Sequence, residues 1–248
     1  MSLAEEYRRQ RAWRDWPVVL ERLPLRPGTR VLDLGCGAGD AAAELVARGA
    51  EVLGIDANPE LVAAARVLGL ELAEFRVGDL RALELPAASF DGLWCSFVPA
   101  YFPDLAPELV RWARFLRPGG WLAMTEVDDL FAHEPLEPRV REILAAYVDE
   151  ALASGRYDFR MGRKLRAHAA RAGLTVSAEL ALADPELAGD GPASPEVLEA
   201  WRARFERMQL LRQRCGDELE RVRDAFLACL ADPGHRAGAR VVGCLATR

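Results

Sequence analysis

An α/β fold on a doubly wound, mostly parallel sheet of seven strands is what this sequence predicts. Three observations carry the prediction. Short apolar runs alternate with helix-period segments through the first half, the pattern of βαβ units whose sheet is covered on both faces. Glycines at 35, 37 and 39 stand between the first such run and the helix after it. The last strand-like run falls at 240–246, so one sheet draws in both halves of the 248 residues and the chain reads as a single domain, 1–248.

Each element follows in order. Residues 3–22 read as one amphipathic helix with Leu3, Tyr7, Trp13, Trp16 and Leu20 as apolar positions. After a turn at 25–29, Arg30–Leu34 is a short buried strand, and a helix runs from about Asp40 to Arg48, ended by Gly49. Glu51–Asp56 is the next strand. Asn58 caps the following helix and Pro59 fits its first position. Glu74–Val77 and Phe90–Ser96 are strands three and four. Asp104 caps a helix that buries Leu105, Leu109, Trp112, Ala113 and Leu116. Arg117–Gly120 is a turn into a fifth strand, Trp121–Glu126. Helices follow at 137–153 and 162–172, a sixth strand at 174–182, a loop at 183–193, helices from Ser194 and near 217–230, and the seventh strand at the end.

Composition narrows the class. Hydrophobic residues are 51% and charged residues 28%, as in ordinary globular chains. The net charge of −6 opposes a protein that grips nucleic acid through phosphates. No run approaches the ~18 apolar residues of a membrane span, and residues 1–9 lack the apolar core of a secretory signal. Cys36, Cys95, Cys215, Cys229 and Cys244 are odd in number and widely spaced, which fits neither a disulfide framework nor a zinc site. The expectation is a cytoplasmic protein, monomer or homodimer, with no metal, no nucleic acid and no membrane among its partners.

The chemistry-bearing residues lie at strand ends. In Val31-Leu32-Asp33-Leu34-Gly35-Cys36-Gly37-Ala38-Gly39-Asp40 the glycines let backbone approach a ligand closely. Asp40 stands where a dinucleotide fold wants a third glycine or alanine, which opposes a nicotinamide-dependent oxidoreductase. Asp33 is an awkward neighbour for pyrophosphate but suits a cationic ligand. Asp56, ending the second strand, can accept from two ribose hydroxyls, and Asp79 after the third can accept from an exocyclic adenine amine.

Val31–Gly39, Asp56, Asp79, the Phe90-Asp91 strand and the Arg117-Pro118-Gly119-Gly120 turn together resemble class I S-adenosylmethionine-dependent methyltransferases, a Rossmann-like family, in order and spacing along residues 30–126. The resemblance implies S-adenosyl-L-methionine as cofactor. Gly35, Cys36 and Gly37 would carry its methionine part, Asp56 its ribose, Ala57 the adenine face, and Asp79 with the Leu80 amide the adenine edge. Ser96 and Phe97 would line the path to the methyl group. Residues 1–29 look similar to the lid helix of small-molecule members, where Tyr7 or Arg14 would meet the cofactor carboxylate.

The implied reaction is in-line methyl transfer to a small organic acceptor, in which alignment contributes roughly 7–11 kcal/mol. A general base matters only where the acceptor must lose a proton. Rival readings are a methyltransferase acting on RNA or protein, and a cofactor-binding module without catalysis. For the acceptor side, Tyr101, Phe102, Glu126 and His133 are the candidates. Helical insertions at 127–160 and 183–238 are expected to cap the site. The basic stretch 159–171 reads either as a solvated helix face or as a greeting for an acidic acceptor.

Overall fold

The computed structural model describes residues 2–248. At the N-terminus the single expected helix is broken into α1 (Leu3–Gln10), a 3₁₀ turn (Arg11–Trp13) and α2 (Trp16–Leu20). Pro17 explains the break, because it has no N–H to give the Trp13 carbonyl. The core then runs β1 (Arg30–Leu34), α3 (Asp40–Val46), β2 (Glu51–Asp56), α4 (Pro59–Val67), β3 (Ala73–Val77), β4 (Phe90–Ser96), α5 (Ala106–Ala113) and β5 (Leu116–Asp128). Asn58 caps α4 as its sequence position predicts, accepting from the Glu60 and Leu61 amides. Asp104 does not cap α5. Leu105 is the N-cap, and Asp104 instead accepts from Arg171 at 3.1 Å.

The expected turn at 117–120 is a bulge inside β5. Phe90 pairs with Leu116 and Gly92 with Trp121, so four residues loop out of the ladder. The loop is fixed by the Trp121 indole, which lies where a Cβ on Gly92 would stand.

The second half adds β6 (His133–Glu134), α6 (Pro138–Ala153), α7 (Leu165–Arg171), β7 (Thr175–Leu182), α8 (Pro195–Arg207), α9 (Gln209–Cys215), α10 (Leu219–Ala231), β8 (Arg236–Ala237) and β9 (Arg240–Thr247). The sequence pattern misses α9 and the two-residue strands β6 and β8, which pair with each other. The main sheet has the order β3-β2-β1-β4-β5-β9-β7. Only β9 opposes its neighbours; β1 to β5 pair in parallel. The strand order reverses between β1 and β4, which opens a crevice beyond their carboxyl ends.

Alternation along the strands builds a core on each face. Val31, Val52, Trp94 and Ala123 join the cluster under the N-terminal helices, α3 and the cap, whereas Leu32, Leu93, Leu122 and Met124 join the one under α5 and α7. The cap centres on Phe131, whose ring meets those of Tyr147, Phe159, Trp201, Phe205 and Phe226 within 6.3 Å. Among the described residues no helix is long and apolar enough to cross a membrane.

One polar pair is locked inside this cap. His133 and His235 stack with ring planes 16° apart, and His133 Nδ1 lies 2.9 Å from His235 Nε2. Their outer nitrogens face the Leu130 and Gly191 carbonyls. Burial, with the neighbouring His235, pushes His133 down to about 4. The unfolded chain therefore binds a proton that the folded one refuses between about pH 6.5 and 4. Stability is expected to fall by about 3 kcal/mol as pH drops through that window and then to level off. Urea unfolding of the native chain and His133→Phe across that range checks this: the difference between the two should be constant near neutrality and shift by about 3 kcal/mol in favour of the variant toward pH 4.

Candidate active site

The crevice at the sheet's switch point holds a cavity of about 510 Å³, in the range of small-molecule sites. Its floor is the turn after β1. Gly35 has φ +75° and a Cβ there would stand 2.2 Å from Val98, so only glycine fits. Gly37 lies beneath the Tyr7 ring, where a Cβ would be 3.3 Å from it. The amides of Gly35 and Cys36 both donate to the Ile55 carbonyl, which ties this turn to β2. Burial pushes the Cys36 thiol up, so it is an inert filler of the turn rather than a nucleophile.

Two carboxylates shape the ligand end. Asp56 accepts from the Gly37 amide at 2.9 Å through Oδ2 and from the Asn58 amide at 2.8 Å through Oδ1. Each oxygen keeps a lone pair, and the carboxylate holds the glycine turn in place. Asp33 is 1% exposed and its Oδ2 has no hydrogen-bond partner among the described residues. Burial, helped by the nearby Asp56 charge, pushes its acid up to about 8. A buried carboxyl left so costs free energy that a cationic donor would recover. Ala57, Asp79 and Leu80 line the same end. Asp79 accepts from the Arg81 amide, and Leu80 is fixed by the Trp112 indole, which donates to its carbonyl at 3.0 Å.

The middle of the cavity is set by β4 and the N-terminal segment. Ser96 Oγ is 2.6 Å from Thr125 Oγ1 and accepts from the Trp16 indole at 3.0 Å, pinning α2 over the sheet. Phe97 takes φ +55°, a strained conformation for a bulky side chain, and the Arg14 guanidinium lies 4.8 Å over its ring. Tyr101 and Phe102 also line the cavity.

Three expectations need correction. Arg14 reaches the cavity, but its guanidinium is spent on Asp184 and Glu186, each at 2.6 Å, with a side chain 6% exposed. That leaves Tyr7 as the better placed of the two at the glycine turn. Glu126 is fully buried and lies outside the cavity lining. Its oxygens accept from the Ala100 and Val127 amides, and burial raises its acid to about 7. The reason is strand alternation: Thr125 and Val127 take the cavity side, so Glu126 points the other way. His133 is also absent from the lining and sits in the cap with His235.

The basic stretch 159–171 faces acids, not the cavity. Arg160 pairs with Asp149, Arg163 with Asp128 and Asp129, Lys164 with Asp158, Arg166 with Glu179 and Arg171 with Asp104. Arg240 takes the other oxygen of Asp128. Among the described residues no cluster of three metal-ligating side chains is present.

Sequence reasoning did not single out Tyr157, Glu186, Leu187 and Arg204. They come from the loop after α6, the loop after β7, and α8, and no local pattern marks them. Tyr157, Leu187 and Arg204 line the cavity, and Glu186 holds Arg204 there at 2.5 Å.

Residues 32–124 match the methyltransferase domain family. The chain is 40% identical over 114 residues to nocamycin O-methyltransferase of Saccharothrix syringae, covering 43% of this chain and 41% of that one. It is 42% identical over 126 residues to trans-aconitate 2-methyltransferase of Azoarcus sp. (strain BH72), covering 50% and 47%. The matches thus span about half the length of these relatives or less. Among solved structures, geranyl diphosphate methyltransferase in complex with SAM superposes with a TM-score of 0.58 at 20% identity, covering 94% of this chain and 83% of that one. The fold shared with this solved methyltransferase, the methyltransferase-domain match over residues 32–124 and the glycine turn with its carboxylates are what the chain has in common with class I S-adenosylmethionine-dependent methyltransferases.

Proposed function

We propose that the chain transfers the methyl group of S-adenosylmethionine to an oxygen of a small organic acceptor. The observation that carries this reading is the cavity at the switch point, lined by the Asp33 carboxyl, the Asp56 carboxylate and aromatic side chains. The donor set fits the cofactor. Asp33 would meet the methionine amino group, Asp56 the ribose hydroxyls, and Asp79 with the Leu80 amide the adenine edge, while Ala57 lies beside its face.

The cofactor, when bound, supplies an activated methyl on a positively charged sulfur. The chain's own task is alignment and exclusion of water. Gly35 and Gly37 admit the ligand to backbone contact. Tyr7 closes over Gly37, and Trp16 pinned to Ser96 closes the middle. Glu126 stays behind the wall, so no carboxylate base reaches the acceptor from β5, and an acidic hydroxyl is the acceptor such a site serves. A cytoplasmic setting suits the five cysteines, none of which is disulfide-bonded.

Calorimetric titration with S-adenosylmethionine in two buffers of different ionisation enthalpy tests the reading. Binding is expected with release of up to about one proton near neutrality, because Asp33 must ionise beside the incoming amine, and the release should fade above about pH 8. Absence of binding would sink the proposal. Binding without proton release would remove Asp33 from it.

A further inference from the structure

Part of the cavity wall is built from residues far apart in sequence. Tyr101 follows β4, Tyr157 follows α6, and Arg204 sits on α8; all three line the cavity. The two phenol rings meet edge to face at 4.9 Å, and neither hydroxyl bonds to a protein group among the described residues. Arg204 lies over Trp201 and gives only Nη2 to Glu186. Phe97, Leu130 and Leu187 supply apolar wall.

The charge count of this chamber is closed. Arg14 is consumed by Asp184 and Glu186, Arg204 is half consumed by Glu186, and Glu186 is fully buried with Gln10 as a further donor. Two guanidiniums face two carboxylates, for a net charge of zero. One guanidinium edge and two phenol hydroxyls are left for a ligand. A di- or tricarboxylate would bring more charges than the one open guanidinium edge can partner, which is costly where they are buried. A single acidic hydroxyl on a flat carbon skeleton matches what is left.

We propose that this chamber is an acceptor subsite for a phenol or enol taken as its monoanion, with the open edge of Arg204 and the hydroxyls of Tyr101 and Tyr157 holding the reacting oxygen. The proposal rests on the reading of the glycine-turn end as the cofactor site. It makes Arg204 the residue that favours the monoanion, while the pairing of Arg14 with Asp184 and Glu186 leaves no second cation for a polycarboxylate. The reaction balances without a protein base: the hydroxyl proton goes to solvent as the anion forms beside Arg204, one O–C bond forms, one C–S bond breaks, and its electron pair stays on sulfur.

The test uses the full chain saturated with S-adenosylhomocysteine and follows quenching of Trp16 and Trp94, which line the cavity. Salicylaldehyde, a phenol, and trans-aconitate, a tricarboxylate, are the probes. The phenol is expected to bind at least tenfold more tightly, more tightly as pH rises through its own ionisation. Arg204→Gln should erase that pH dependence and the preference, Arg204→Lys should restore part of both, and Tyr157→Phe should weaken the phenol several-fold in a folded chain. Equal or tighter binding of trans-aconitate, no binding of the phenol, or a preference untouched in Arg204→Gln would overturn the proposal. Failure of S-adenosylhomocysteine to bind in the first step would instead overturn the cofactor reading beneath it.

Discussion

Asp56→Ala is expected to weaken S-adenosylmethionine binding by roughly 3–6 kcal/mol, a loss of at least a hundredfold in affinity. The figure is two charge-assisted hydrogen bonds to ribose hydroxyls at about 1.5–3 kcal/mol each. The structure adds a reason to expect the upper part of that range. The same carboxylate accepts from the Gly37 and Asn58 amides, so its loss also loosens the turn that the ligand rests on. Asp56→Asn keeps one acceptor oxygen and should fall between. Calorimetry reads both, and an affinity unchanged in Asp56→Ala would remove the ribose assignment.

Glu186→Ala is expected to lower folding stability by about 3–5 kcal/mol, the cost of leaving buried guanidiniums without their partner. Glu186 is 2% exposed and receives Arg14, Arg204 and Gln10 together. Burial alone would raise its acid, but Arg204 and Arg14 outweigh burial and hold it below the usual carboxylate range. Its folded acid constant is thus depressed. The stabilisation is present above the unfolded value near 4.5 and is lost as pH falls through the folded one. Urea unfolding checks both statements: the gap between native chain and variant should be widest near neutrality and close in acid. A gap below about 1 kcal/mol at neutral pH would show that the network contributes little.

Both variants probe parts that differ in how they are written in the chain. The proposed cofactor end is local. A strand, a glycine turn and a helix are consecutive in Val31–Val46, and Asp56 and Asp79 follow the ends of their own strands, so position in the strand-helix alternation names them. Backbone demands at Gly35 and Gly37 leave a mark in residue type that survives without any neighbour in view. The sheet was legible for the same reason, since its strands alternate or run apolar and its helices carry caps at Asn58 and Ser194.

The proposed acceptor end is not local. Arg14 meets Asp184 and Glu186 across separations of 170 and 172 residues. An arginine among many on an amphipathic segment carries no sign of which carboxylate it will find. Arg204 is one of several arginines on α8, and Glu186 sits in a Gly- and Pro-rich loop that reads as plain connection. Strand alternation already excludes Glu126 from the site: Trp121, Ala123, Thr125 and Val127 form one side of β5, so the residue between the last two faces away. Nearness to the end of β5 in sequence points His133 toward the site, whereas β6 carries it into the cap against β8.

The most direct measurement of the central claim is the electron density of S-adenosylhomocysteine in crystals of the full chain. The ribose hydroxyls are expected on the Asp56 carboxylate, the amino group against Asp33 Oδ2, and the sulfur directed toward Tyr101, Tyr157 and Arg204. Density placed outside this cavity, or a ribose that leaves Asp56 bonded only to its two backbone amides, would contradict it.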